Sequence, residues 1–110
     1  MDITITSDSG IDIATILGEI DGKTAPEVQE KILPLITAEG KLLLDMTGVP
    51  YMSSAGLRML LSTYRQITAQ KARLVLSGLS EEIRDTMSMT GFLHHFTVCD
   101  TLDAAKAALA

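Results

Sequence analysis

The segment Lys41–Arg65, KLLLDMTGVPYMSSAGLRMLLSTYR, decides how the rest of the chain is read. Leu42, Leu43 and Leu44 form a short continuous apolar run, the pattern of a strand buried on both faces. The run ends at Asp45, a turn carrying Gly48 and Pro50 follows, and a helix begins at the paired serines Ser53 and Ser54. Within that helix Leu57, Leu60, Leu61 and Tyr64 share one face, with Arg58, Ser62 and Arg65 largely off it. Ala55 and Gly56 keep the helix mouth small, and Gly56 costs helix propensity in the first turn. One β–α unit therefore carries two hydroxyls at its junction.

Moving outward, Ile3 and Ile5 alternate with threonines, and Ile11, Ile13 and Ile16 follow a turn at Ser7–Gly10. Those two alternating segments read as a hairpin. GEIDGK, Gly18–Lys23, breaks the pattern as a loop. Thr24-Ala-Pro-Glu27 has the form of a capping box with an early proline, and Val28, Ile32, Leu35 and Ile36 follow at helical spacing. The spacing predicts a helix to about Glu39 that stops at Gly40, with Pro34 kinking or tightening its last turn. Leu74–Leu76 reads as a second short buried strand, and Ser80-Glu81-Glu82 starts a helix that Gly91 ends. Phe96–Val98 reads as a last strand. Thr101–Ala110 reads as a terminal helix with Leu102, Ala105 and Leu109 on its inner stripe. Strands alternating with helices imply an α/β fold: a mostly parallel sheet of about five strands with four helices and an antiparallel edge from the hairpin.

The totals narrow the function. At 110 residues the chain suits one domain, residues 1–110, with one core. Apolar residues make up 46% and aromatics 4%, with no Trp, which is an aliphatic core rather than an aromatic-lined cofactor pocket. A net charge of −5 argues against nucleic acid or an anionic membrane as partner. Cys99 is alone, so neither an internal disulfide nor a cysteine-based metal site is expected. The N-terminal MDITITSDSG has no basic region followed by an apolar core, and no segment has the length of a membrane span; the expectation is a soluble cytoplasmic protein.

A serine at a helix start ordinarily caps backbone amides, for about 1 kcal/mol. One hydroxyl suffices for that, and two are present. A helix N-terminus is also where a phosphoryl group is well received, because orphan amides and the helix dipole favour an anion there.

The pattern D-M-T-G-V-P-Y-M-S-S-A-G-L, Asp45–Leu57, resembles the signature of STAS domains, specifically single-domain bacterial anti-sigma factor antagonists. Gly18-Glu-Ile-Asp21 resembles the family's loop after the second strand, and Met87–Phe92 its helix end before the last strand. The resemblance implies a STAS fold and places the phosphorylated serine at Ser54, with Gly56 and Leu57 matching the motif's glycine and leucine. Ser53 stands where an aspartate is common and is the alternative acceptor; Ala55 stands where a second hydroxyl is common. The implied mechanism is partner switching. The unphosphorylated protein binds an anti-sigma factor that is also a serine kinase of the histidine-kinase-like ATPase type, freeing a sigma factor. Phosphorylation ends that binding, and a PP2C-type phosphatase resets the switch. The implied partner surface comprises Asp21, Gly22, Thr24, Tyr51, Met52, Ser53, Ser54, Gly56 and Arg58. No catalytic residue, metal or cofactor of its own is expected.

Three other readings compete with this one. A response-regulator receiver shares the apolar strand ending in Asp45, but no lysine follows the last strand before Lys106. A serine hydrolase lacks its G-x-S-x-G elbow, and the only histidines are the adjacent His94 and His95. A STAS subunit of a lipid-transport complex or stress-sensing particle has the same fold and would work as a protein-interaction module without phosphorylation, the distinction lying in its partner. Met52, Met59, Met87 and Met89 read as core filler or as a soft interaction surface. Tyr51 reads either as an interface residue or as a cover for the sheet edge.

Overall fold

The strand built on Leu42–Leu44 is the centre of the sheet. In the computed structural model, which describes all 110 residues, five strands lie in the order β1-β2-β3-β4-β5. They are β1 (Asp2–Asp8), β2 (Ile11–Leu17), β3 (Lys41–Gly48), β4 (Arg73–Ser77) and β5 (Thr97–Cys99). The helices are α1 (Ala25–Ile32), α2 (Ser54–Ala69), α3 (Glu81–Met89) and α4 (Leu102–Leu109). The β1–β2 pair is antiparallel and every other pair is parallel, as the alternation of elements predicted. The hairpin turn is tighter than expected. Ser9 and Gly10, at φ 54° and 82°, form a two-residue turn with left-handed backbone at both positions.

The strand order dictates the layers. Each parallel step to the neighbouring strand requires a right-handed crossover, so three successive steps in one direction place α1, α2 and α3 on the same face. They share a core with Ala14, Ile16, Leu42, Leu44, Met46 and Leu76. After β5 the chain turns under the sheet, and α4 covers the opposite face through Ala105 and Leu109, against Ile11, Ile13, Leu43 and Val75. Leu43 and Leu44, both fully buried, thus serve different layers, because successive side chains leave a strand on opposite sides. Two cations hold the small α4 layer in place. The Arg73 guanidinium donates to the carbonyls of Ala108 and Leu109 at the helix C-terminus, and Lys106 pairs with Asp8 at 3.0 Å. That lysine, with a hydrogen bond from Ser9, holds the Asp8 carboxyl below its ordinary pKa.

Four expectations need correction. Helix α1 ends at Ile32 and a single 3-10 turn, Leu33–Leu35, follows it, instead of α-helix to Glu39. Pro34 supplies no amide donor and crowds the carbonyl four residues back, so the α pattern cannot continue through it. Glu39, at φ 60°, rather than Gly40, takes the left-handed position before β3. The capping box does not form either: Thr24 is itself in the right-handed helical region and makes no cap bond with its side chain. Finally, β3 continues beyond Asp45 to Gly48, because Met46 is still wholly buried and Gly48 still pairs with Leu17 of β2.

Leu43→Ala and Leu44→Ala should each lower stability by about 2–5 kcal/mol in chemical denaturation. Their hydrogen-exchange signatures should separate: Leu43→Ala loosens the amides of α4 first, and Leu44→Ala those of α1 and α2.

Candidate functional site at the start of α2

The segment between β3 and α2 is held by backbone bonds to the β2–α1 loop and by the buried side chains of Val49 and Met52. The Ile20 amide donates to the Tyr51 carbonyl at 3.0 Å, and the Ser53 amide donates to the Ile20 carbonyl at 2.8 Å. Ile20 and Met52 form an isolated parallel bridge. These contacts continue the β2–β3 pairing past both strand ends and lay the Gly18–Lys23 loop beside the Ser53–Ser54 step. Ile20 is completely buried and Met52 nearly so. Both lie against Gly56, where a Cβ would overlap the Met52 Cγ and sit 3.0 Å from the Ile20 Cγ2. Gly56 is therefore required by this close approach of helix and loop.

The two serines have different environments. Ser53 is the N-cap residue of α2, with extended backbone at φ −80° and ψ 177°, yet its side chain makes no capping bond. Its Oγ is buried and has no hydrogen-bond partner. Ser54 is the first helical residue and is exposed. The first helical bond runs from the Leu57 amide to the Ser53 carbonyl at 3.1 Å, and the amides of Ser54, Ala55 and Gly56 have no acceptor in the chain.

The other three helices treat their positive ends differently. Glu27 lies in the first turn of α1, Glu81 and Glu82 in that of α3, and Asp103 in that of α4. Ser80 and Thr101 also cap α3 and α4 by accepting from Ile83 and Ala104. Helix α2, the longest, has neither an acid nor a side-chain cap at its start.

Asp21 supplies what Thr24 does not. Its carboxylate accepts the Lys23 amide at 2.9 Å and the Thr24 amide at 3.1 Å, the side-chain turn that aspartate makes two and three residues ahead. The Thr24 hydroxyl faces back, accepting from the Asp21 amide at 2.9 Å and donating to the Glu19 carbonyl at 2.7 Å. The Thr24 amide, then that of Lys23, favour the ionised form and hold the Asp21 pKa below its ordinary value.

Of the residues singled out in the sequence, Gly22, Tyr51, Ser54 and Arg58 are exposed, and Asp21 and Thr24 half-exposed. Met52 and Gly56 are buried and support this surface from beneath instead of lining it. The Ser53 hydroxyl is likewise inside. Met59 and Met87 are core residues, whereas Met89 is 87% exposed. A feature with no sequence signal is a groove of about 280 Å³ between α1 and α2, bordered by Gly22, Pro26, Gln29, Ala55, Arg58 and Ser62. The Gln29 amide closes its floor by donating to the Ser62 hydroxyl at 3.1 Å. Asp45, within β3, accepts from the Thr47 amide at 3.1 Å and hydroxyl at 2.7 Å.

Two measurements test this geometry. Gly56→Ala gains helix propensity of at most about 1 kcal/mol, but overpacking typically costs about 1–3 kcal/mol, so the variant should melt several degrees lower. A carboxyl whose folded pKa is depressed stabilises the fold above its ordinary value, here 3.8, and loses that contribution as pH falls through the lower folded value. The Lys23 and Thr24 amide resonances should therefore move together with a midpoint below 3.8, and Asp21→Asn should abolish that transition.

Comparison with known proteins agrees with this architecture. The family model for the STAS domain matches residues 2–105. Over 109 residues the chain is 30% identical to BtrV of Bordetella bronchiseptica, an alignment covering 98% of this chain and 94% of that protein. It is 36% identical over 76 residues to the anti-sigma-B factor antagonist of Bacillus subtilis, covering 69% of this chain and 70% of the relative. Among solved structures, an anti-sigma factor antagonist from Mycobacterium paratuberculosis superposes with a TM-score of 0.87 at 25% identity, over 98% of this chain and 92% of that one. With its five strands, its first three helices and the segment around Ser54 all inside the matched region, the chain belongs to the STAS domain family.

Proposed function

We propose that this chain is an anti-sigma factor antagonist that works by partner switching, with Ser54 as the phosphoacceptor. The observation that carries the reading is the start of α2: an exposed hydroxyl beside three amides without acceptors, on the one helix lacking an acid or a side-chain cap. A phosphoryl group adds nearly two negative charges where the helix end favours them. It does not threaten the fold, because α2 is held by Leu57, Met59, Leu60 and Ile67, each buried and each contributing about 1.5–3 kcal/mol. Against that total, a cap contributes only about 1 kcal/mol. Burial of the Ser53 oxygen supports Ser54 over Ser53 as the acceptor.

The whole chain acts as one STAS unit in the cytoplasm, as a protein-binding module and not as an enzyme. Its partner is an anti-sigma factor that is also a serine kinase of the histidine-kinase-like ATPase type. ATP belongs to that partner, and a PP2C-type phosphatase removes the phosphate. The partner docks on the exposed face formed by Asp21, Gly22, Thr24, Tyr51, Ser54 and Arg58, with Met52, Ser53 and Gly56 beneath it. No helix of the chain is long and apolar enough to cross a membrane, and the net charge of −5 disfavours nucleic acid as the partner.

Incubation with ATP and the cognate kinase, followed by intact-mass analysis and peptide mapping, tests the assignment. Wild type should gain about 80 Da on the Ser54 peptide, the mass of one phosphoryl group. Ser54→Ala should lose the shift and keep the partner, and Ser53→Ala should retain the shift. Ser54→Asp should bind the partner ~30-fold more weakly, the equivalent of about 2 kcal/mol. Modification that survives in Ser54→Ala and disappears in Ser53→Ala overturns the assignment.

A further inference from the structure

The groove beside Ser54 carries one cation at its mouth. Arg58 is exposed, borders the groove, and takes part in neither of the two ion pairs in the molecule, Arg84–Asp100 and Lys106–Asp8. It lies four residues after Ser54 on α2, so the two Cβ atoms are neighbours on the helix surface, about 5–6 Å apart. Side chains on a helix lean toward its N-terminus, and a long one covers the turn before its own Cα. For Arg58 that turn is the one beginning at Ser54. An anion followed four residues later by a cation is also the favourable order for such a pair.

We infer that Arg58 is the intramolecular counter-ion of phosphorylated Ser54: its guanidinium moves from the groove mouth onto the phosphoryl oxygens. This inference rests on Ser54 being the acceptor, as proposed above. Arginine suits the role because its planar fork of N–H donors meets two phosphoryl oxygens at once. Asp21, on the loop beside the Ser53–Ser54 step, carries a single charge and already accepts two backbone amides; a phosphoserine carries roughly twice that charge. Glu19 and Lys23 flank Asp21 on the same loop; both are exposed and neither takes part in an ion pair. Arg58 is the only charged residue in the first two turns of α2. One modification then changes the docking surface twice: it places negative charge at the helix start and withdraws positive charge from the α1–α2 groove.

The test installs phosphoserine at position 54 by genetically encoded incorporation, so that it does not depend on any kinase. Thermal unfolding is compared for phosphorylated and unphosphorylated chains carrying Arg58, Arg58→Ala or Arg58→Lys. The phosphorylated chain with Arg58 should melt higher than its unphosphorylated form, by a gap that shrinks about 3–6 °C in Arg58→Ala and is partly restored in Arg58→Lys. An arginine with only a structural role lowers both forms equally and leaves the gap unchanged; that result overturns the inference while leaving Ser54 as the acceptor. Absence of kinase modification at Ser54 in the mass-mapping experiment has the opposite meaning: it removes the proposed function and leaves the measured coupling standing.

Discussion

The structure turns on how Ile20 is held. Its amide and carbonyl bond to Tyr51 and Ser53 on the opposite segment, and its buried side chain packs with that of Met52 against Gly56. Three otherwise independent pieces, the end of β2, the turn after β3 and the first turn of α2, become one rigid corner. The Asp21 turn then extends from that corner instead of moving as a free loop. The face that includes Ser54 is thus backed by an apolar floor of Ile20 and Met52. Its exposed residues are free to contact a partner because they are not needed for packing.

Energetically this corner separates holding from signalling. Helix α2 is anchored by its apolar stripe, and its N-terminus contributes little to keeping it in place. In α3 and α4 a side-chain cap and first-turn acids meet the positive helix end, and α1 has Glu27 in its first turn. Only α2 has neither a side-chain cap nor an acid there. Firm burial of the helix stripe and an uncapped start are therefore combined in α2 alone.

Much of this was legible in the sequence because it follows from periodicity. The Leu42–Leu44 run, the leucine stripe of α2 and the Ser80 cap of α3 all translate into the observed elements. The boundary of α1 was misjudged because helical spacing continues through Leu35 and Ile36, although Pro34 forbids the α bonds that would join them to it. Thr24 misled in another way. The capping-box pattern was present, but Asp21 three residues earlier forms the competing turn and leaves the threonine hydroxyl facing Glu19. The motif around Ser54 marked the start of α2. It did not reveal that Met52 and Gly56 lie under the surface or that Ser53 is enclosed, since these depend on Ile20, which is distant in sequence. The α1–α2 groove has the same origin: it arises from two helices meeting, and no local pattern records it.

The division of labour between Leu43 and Leu44 has an evolutionary consequence. Adjacent side chains on the central strand face two separate interiors, one beneath the three-helix layer and one beneath α4. Mutational drift in the smaller interior can be absorbed by compensating changes among a handful of neighbours without altering the corner around Ile20. Related chains are therefore free to remodel their C-terminal layer, and whatever touches it, while inheriting the same corner.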